Sequence, residues 1–454
     1  MLPMFSNVPA QNSIIINSFK GINVTPSYKS GEFTKCLNID LTSYPALSSR
    51  KKRTLGSVCE GKINGVGSFD GFFYTYYKEK TKSIFLSYKG KDYEFTSYTN
   101  HTDFSLKRRF ATLEKAILII PDNVIFFVDK LIFKNPNIYQ YADYQTAGPK
   151  YLKESNGYKF YTFVSSTPIG DVAHNKISSK KLTYTPGSNT KYDFYPVAFD
   201  PSIEPGDVVT IKMYTNSSSA TASDAYNKLV WGFRTGITVK VKAVEKKKHN
   251  IVGGSEITEV VSLSFENNTI NTGGYSDLTF SSIEIEKKLP NLTALTSYNN
   301  RVWGVCKNKV CTSKLGDADE WNDFSVDSYG TLPSSCFSAT AGTDGDFTAI
   351  IPHGNYIYAF KENYIHKIYG DTPDEYTITN LKAPGCIKSG DTLSVCGTYL
   401  VYASNDGIYV LRDGYPRLIS QKIGQLNPVC AASHGSKYYL ICQKEKGRSD
   451  HQST

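Results

Sequence analysis

Methionine and tryptophan are scarce in this chain, three of each among 454 residues. Met serves helices and adaptable cores. Its scarcity beside 33 Tyr and 24 Phe argues against a helical bundle or a solenoid of helix pairs, because aromatic residues suit pleated, half-buried surfaces. Long apolar runs are missing as well. The longest, Ala116-Ile117-Leu118-Ile119-Ile120, is cut by Pro121-Asp122-Asn123 before apolar residues resume at 124–128. Neither half spans a bilayer, so the pair reads as two strands joined by a tight turn and a membrane-embedded protein is excluded. Residues 1–9 carry neither the basic nor the apolar region of a secretory signal. The charge imbalance is small: 51 Lys+Arg against 42 Asp+Glu leaves +9, short of a dedicated nucleic-acid binder. With 40% apolar and 20% charged residues, the chain can build a core and is not a disordered one.

Catalytic signatures are equally sparse. The sequence has no HExxH, GxSxG, P-loop or strand-borne GxGxxG. Its nine cysteines are scattered and no CxxC occurs; Cys306 and Cys311 are poorly spaced for zinc. They read as buried free thiols in a protein folded in a reducing cytoplasm. The seven histidines are dispersed, and His353 and His434 fall at equivalent turns of a repeat. A propeller glycosidase would need two facing carboxylates, and a sialidase an Arg cluster. Asp344 with Asp346, and Asp371 with Asp374 and Glu375, read instead as inter-blade turn residues, and Ser404-Asn405-Asp406-Gly407 as turn chemistry rather than an Asp-box. No catalytic group, metal ligand or cofactor site is assigned.

What is present is a repeat. A turn of Asn, Asp or Gly precedes a short aromatic/aliphatic strand at Phe69–Tyr76, Pro121–Val128, Tyr298–Gly304, His353–Phe360, Cys396–Tyr402 and His434–Leu440. A second turn and strand follow most of these. Such turns supply the positive φ of tight hairpins, and the spacing of about 37–55 residues is that of propeller blades. The expected fold is therefore all-β, a β-propeller of short antiparallel blades. A different texture between Phe133 and Pro290, with strands such as 208–214 and 237–244, predicts an inserted β-sandwich-like domain. The domain plan is an N-terminal arm with its leading strand (1–60), a first set of blades (61–133), the insertion (134–290), a second set of blades (291–443) and an irregular tail (444–454). The last unit lacks following strands, so either the N-terminal segment closes the fold or the sequence is truncated.

Three basic clusters stand out: Arg50-Lys51-Lys52-Arg53, Lys107-Arg108-Arg109 and Lys246-Lys247-Lys248-His249. The first is the candidate contact for phosphates or an acidic partner, against a solvated face as the blander reading. The last reads as a solvated hairpin tip.

Several stretches, in order, resemble one family. Phe19-Lys20-Gly21-Ile22-Asn23, Gly31-Glu32-Phe33, Leu37-Asn38-Ile39-Asp40 and Tyr44–Arg50 look like the opening of tailed-bacteriophage propeller tail proteins. Further matches are Cys311–Asp317 with Trp321, Gly345-Asp346-Phe347, the 360–370 segment, Gly385, Ser389, Gly407-Ile408-Tyr409-Val410 and Pro416–Ser420. The resemblance covers about residues 15–133 and 291–443 and leaves out the insertion. It implies a non-enzymatic virion protein of the tail nozzle or neck, folded in the host bacterial cytoplasm. Its implied partners are copies of itself in a homo-oligomeric ring, a hexamer being one form, other tail or neck proteins, and DNA in transit. It implies no small-molecule substrate and no stable membrane insertion. The alternative is a glycan-binding or glycan-cleaving propeller, motivated by blades and exposed aromatics; a host-encoded scaffold is a weaker option.

Overall fold

A computed structural model describes residues 19–443 apart from 28, 38, 41–43, 45–47, 51–58, 100, 144–149, 155–156, 166–181, 185–191, 195–202, 215–231, 251–256, 267–276, 280–281, 327–329, 331, 413 and 425. The segment 444–454 and the cluster residues Lys51, Lys52 and Arg53 lie outside the described residues.

The protein is all-β, built of propeller-type blades. Among the described residues there are five four-stranded antiparallel meanders, with the insertion between the second and the third. The first blade comprises Lys62–Ser68, Phe72–Lys78, Ser83–Tyr88 and Lys91–Glu94. The second comprises Arg109–Leu113, Ala116–Ile120, Val124–Phe127 and Ile132–Lys134. The third runs from Ala294–Tyr298 to Phe337–Thr340, the fourth from Ala349–His353 to Thr377–Lys382, and the fifth from Ser394–Cys396 to Arg417–Leu418. A hairpin of Pro428–His434 and Lys437–Cys442 follows. The repeat seen in the sequence marks the second strand of each sheet, except that 124–127 is a third strand. Turn chemistry sets these hairpins: Asn299 and Asn300 both have positive φ, 47° and 53°, as a two-residue type I′ connection requires.

The chain divides into two compact units. One contains residues 61–342 and 369–377, and the other contains 1–60, 343–368 and 378–454. In the first, the blades stack face to face through strands buried on both sides. Ala116–Ile120 is buried throughout. Its Ile117 and Ile119 join Phe73, Ile84 and Leu86 of the first blade, while Leu118 and Ile120 join Leu295, Val302 and Trp321 of the third. In the second unit, Leu400 and Tyr402 pack on Tyr358 and Phe360 of the fourth blade. There Val401 and Ala403 pack toward Tyr438 and Leu440 of the hairpin. Side-chain alternation along a strand makes this two-sided packing possible.

Among its described residues the insertion holds an eight-stranded antiparallel sheet and a two-stranded one, Leu182–Tyr184 with Tyr192–Phe194. Its strand Ile237–Asn250 pairs with Val208–Tyr214 at one end and with Ile257–Phe265 at the other, with an irregular register between Val241 and Ala243. One strand shared through a bulge is how sandwich corners turn. Lys246–His249 lie inside this strand, opposite Val261–Thr258. They do not form a hairpin tip: the ladder hydrogen bonds of the long strand extend through the charged run. Helix is confined, among the described residues, to a turn at Thr96–Tyr98 and another at 232–235.

Of the second basic cluster, Arg108 is a core group. Its guanidinium grips Asp122 in a bidentate pair, Nε to Oδ2 at 2.9 Å and Nη2 to Oδ1 at 3.1 Å, with both side chains fully buried. It also donates to the carbonyls of Phe104 and Leu106 at 2.6 Å each. Replacing Asp122 by Asn leaves a buried, uncompensated guanidinium. The variant is expected to lose about 3–5 kcal/mol of stability in equilibrium urea unfolding, whereas a Lys115→Ala change at the exposed Lys115–Asp129 pair should cost under about 1 kcal/mol.

Candidate functional site

Among the described residues, a dense charge constellation lies where the insertion meets the second and third blades. Lys287 ends the strand Ser282–Lys287, on the same inward phase as Ile283 and Ile285. Its ammonium is buried, 2.6 Å from Asp207 Oδ1, 3.5 Å from Glu320 Oε2 and 3.7 Å from Asp319 Oδ1. Lys134, at the end of the second blade, reaches Asp319 Oδ2 at 2.6 Å and Glu204 Oε2 at 2.7 Å. Lys314 holds Asp323 at 2.7 Å, and Lys240 of the insertion approaches it at 4.0 Å.

Local structure aims these groups. Gly206 takes a φ of 98°, which turns the chain so that Asp207 Oδ2 accepts from Glu204 N at 2.8 Å. Glu320 accepts from Val208 N at 3.1 Å and from Asn322 N at 2.7 Å. Trp321 donates its indole N–H to Ala318 O at 2.9 Å, fixing the loop that carries both acids. Burial opposes charge on Lys287, but Asp319, Glu320 and Asp207 outweigh it and hold the ammonium above its ordinary pKa. Burial pushes the Glu320 carboxyl up, with Lys287 opposing. The arrangement is a brace: two lysines bonded to acids contributed by separate chain segments. A cleft of about 230 Å³ opens beside it, lined by Leu113, Glu114, Phe127, Asp129, Ala318 and Asp319 among others.

A second cluster lies at the fourth blade. Lys361 is buried, donates to Thr343 O at 2.7 Å and lies 4.7 Å over the Phe347 ring. His366 Nε2 shares a hydrogen bond with Thr343 Oγ1 at 2.9 Å, and its ring meets Phe347 edge-on at 4.9 Å. Burial, then the nearby Lys361 charge, lowers the His366 pKa to about 4. Gly385 packs under this strand end, where a Cβ would collide with the Lys361 carbonyl.

The remaining sequence candidates separate. Arg50 is exposed beside the strand Ser48–Ser49. Asp344 and Asp346 sit in the exposed link into the fourth blade. Asp371, Asp374 and Glu375 lie within that blade, between Tyr364–Tyr369 and Thr377–Lys382, and so are not inter-blade residues. Asp406 accepts a hydrogen bond from Tyr409 OH at 2.6 Å. His353 Nε2 bonds Thr398 O at 3.1 Å. The cysteines are free, but only Cys311, Cys336, Cys386 and Cys396 are buried, and Cys442 is exposed. Among the described residues, no three His, Cys, Asp or Glu side chains group to hold a metal ion, and no helix is long and apolar enough to cross a membrane. The brace escaped sequence reasoning, although Lys287 carried a signal: a lysine in an apolar strand's inward phase.

Two outcomes are expected. Lys287→Met leaves the buried Asp207 and Glu320 and the half-buried Asp319 without their common cation; it should destabilise by about 3–5 kcal/mol and raise amide exchange at Asp207–Val208 and 318–322 before the first blade responds. For His366, the buried ring binds its proton less readily than in the unfolded chain, so unfolding takes up a proton between about pH 6.5 and 4. Its contribution is present above that window and is lost as pH falls through it. The stability of the wild type relative to His366→Gln should drop by up to about 3 kcal/mol from pH 7 to pH 4, read from urea midpoints; a pH-independent difference contradicts this. As for known proteins, no family model and no curated protein matches the chain. Among solved structures it is similar to a catalytically inactive virginiamycin B lyase from Staphylococcus aureus with quinupristin, at 10% identity over 84% of this chain and 92% of that one, with a TM-score of 0.29; a likeness so faint carries no argument about what the chain does.

Proposed function

We propose that this chain is a structural subunit of a tailed-phage virion, part of the tail, nozzle or neck tube through which DNA passes, and that it acts by ring assembly and not by catalysis. The observation that supports this most is the brace. Its ion pairs tie the insertion to two blades, Lys287 to Glu320 of the third and Glu204 to Lys134 of the second, and removing Lys287 takes away the common cation of Asp207, Asp319 and Glu320. That is a device for rigidity, suited to a wall that must hold its shape while a polymer slides past. The family-like residues also serve packing: Trp321 is core, Phe347, Lys361 and His366 clasp one loop, and Gly407 passes beneath Leu418 and Ser420. Two neighbouring aromatics on the first blade, Phe72 and Tyr74 with centroids 6.0 Å apart, favour a glycan-binding reading.

Negative-stain electron microscopy of the purified full chain is expected to show rings. Antibody labelling of virions produced from the parent genome is expected to mark the tail or neck. A chain that stays monomeric and is missing from purified particles contradicts the proposal, and a glycan-array signal abolished by Phe72→Ala favours the other reading.

A further inference from the structure

Lys287 and Asp207 stand on neighbouring strands whose register is fixed. Asp207 directly precedes Val208–Tyr214, Lys287 ends Ser282–Lys287, and Thr210 lies opposite Glu286. The contact between the two side chains is close and dry. Lys287 Nζ is 2.6 Å from Asp207 Oδ1, and the two side chains are 1% and 7% exposed. The other carboxylate oxygen, Oδ2, accepts from the Glu204 amide at 2.8 Å, so the carboxyl keeps one orientation toward the amine. A third group completes the cluster. Glu320, 3% exposed, places Oε2 3.5 Å from the same nitrogen. It is fixed in turn by the amides of Val208 and Asn322 at 3.1 and 2.7 Å. Val208 follows Asp207 directly, so Glu320 lies beside both members of the pair. Taking an ammonium and a carboxylate out of water carries a large desolvation penalty, and a neutral amide in their place would relieve it. The charges that remain are already accounted for. Asp319 is bound through Oδ2 to Lys134 at 2.6 Å, and burial favours the neutral form of the Glu320 carboxyl.

We infer that Lys287 and Asp207 condense into an intramolecular isopeptide bond, with Glu320 carrying the proton between them. Glu320 takes one proton from the ammonium and passes it to an Asp207 carboxyl oxygen as the freed nitrogen lone pair forms the N–C bond to Cγ. A second proton follows from nitrogen to that oxygen, the C–O bond breaks, and water departs. Ammonium and carboxylate become amide and water. Glu320 ends as it began, nothing is oxidised or reduced, and no co-reactant enters. Asp319, Glu320 and Asp207 hold the proton on Lys287, so the reaction is a slow, single event that follows folding. Enforced proximity in a fixed geometry is what drives it. The bond joins two strands of the insertion covalently at the foot of the brace. It stands on the brace geometry alone and holds whether or not the chain forms rings.

The test weighs the full chain, aged after purification, by intact-mass spectrometry and then digests it. The wild type is expected one water below the mass of its sequence, with the Asp207 and Lys287 peptides recovered as one branched species. Lys287→Arg keeps the charge but lacks the attacking amine, and should keep the full sequence mass. Glu320→Gln should form the link about 10²–10⁴-fold more slowly. A wild type at its full sequence mass overturns the inference. So does a loss of water that persists in Lys287→Arg, because it places the dehydration elsewhere. A Glu320→Gln chain that links as fast as the wild type overturns the part assigned to Glu320. If a variant does not fold by circular dichroism, the wild-type digest decides: a branched peptide joining Asp207 to Lys287 supports the bond, and two separate linear peptides overturn it.

Discussion

Burial on both faces of the inner strands is the constraint from which the rest of the structure follows. A strand such as Ala116–Ile120, apolar at every position, cannot face water on either side, so its sheet must be sandwiched. The second blade meets that need with the first blade on one side and the third on the other, and the fifth blade does so with the fourth blade and the hairpin. Each added blade covers one face and exposes another.

Charge enters this apolar plan where separate segments must be held to one another. Arg108 on Asp122, Lys287 among three acids, and Arg301 on the carbonyls of Ser313, Ser335 and Pro333 at 2.6–2.9 Å are all buried cations at such junctions. Removing a charge from water is costly, and geometry must be nearly ideal to offset it. These groups therefore tolerate few alternative arrangements of the segments they join. Apolar stacking supplies the cohesion, while the ionic contacts select one placement of loops and insertion.

The architecture was largely legible in the sequence because it rests on local rules. Asn299-Asn300 and Asp70-Gly71 announce hairpins through their tolerance of positive φ. Alternation of aromatic and aliphatic residues marks strands, and the spacing of these pairs gives the blades. The insertion showed in the loss of that period. The site residues were far less legible. Arg108 stands in the sequence as one of three consecutive basic residues, with nothing to show that its partner is Asp122, in a turn on the far side of two strands. Lys246–His249 looked like a tip because of their charge, while the register continues through them. Composition reports what a residue is; it does not report which distant segment neutralises it.

By itself, then, the sequence determined the all-β character, the hairpin turns and the blade period, since each depends on backbone preference and side-chain alternation over a few residues. Only the tertiary structure decided that Lys287 meets Asp207, Asp319 and Glu320, that His366 and Lys361 clasp the Thr343–Phe347 loop, and that Val66 and Phe72 lie uncovered at one end of a stack. Those outcomes depend on contacts between residues 18 to 80 positions apart or on the packing of whole sheets, and no local rule of spacing encodes which of many equally charged or equally apolar side chains will be brought together.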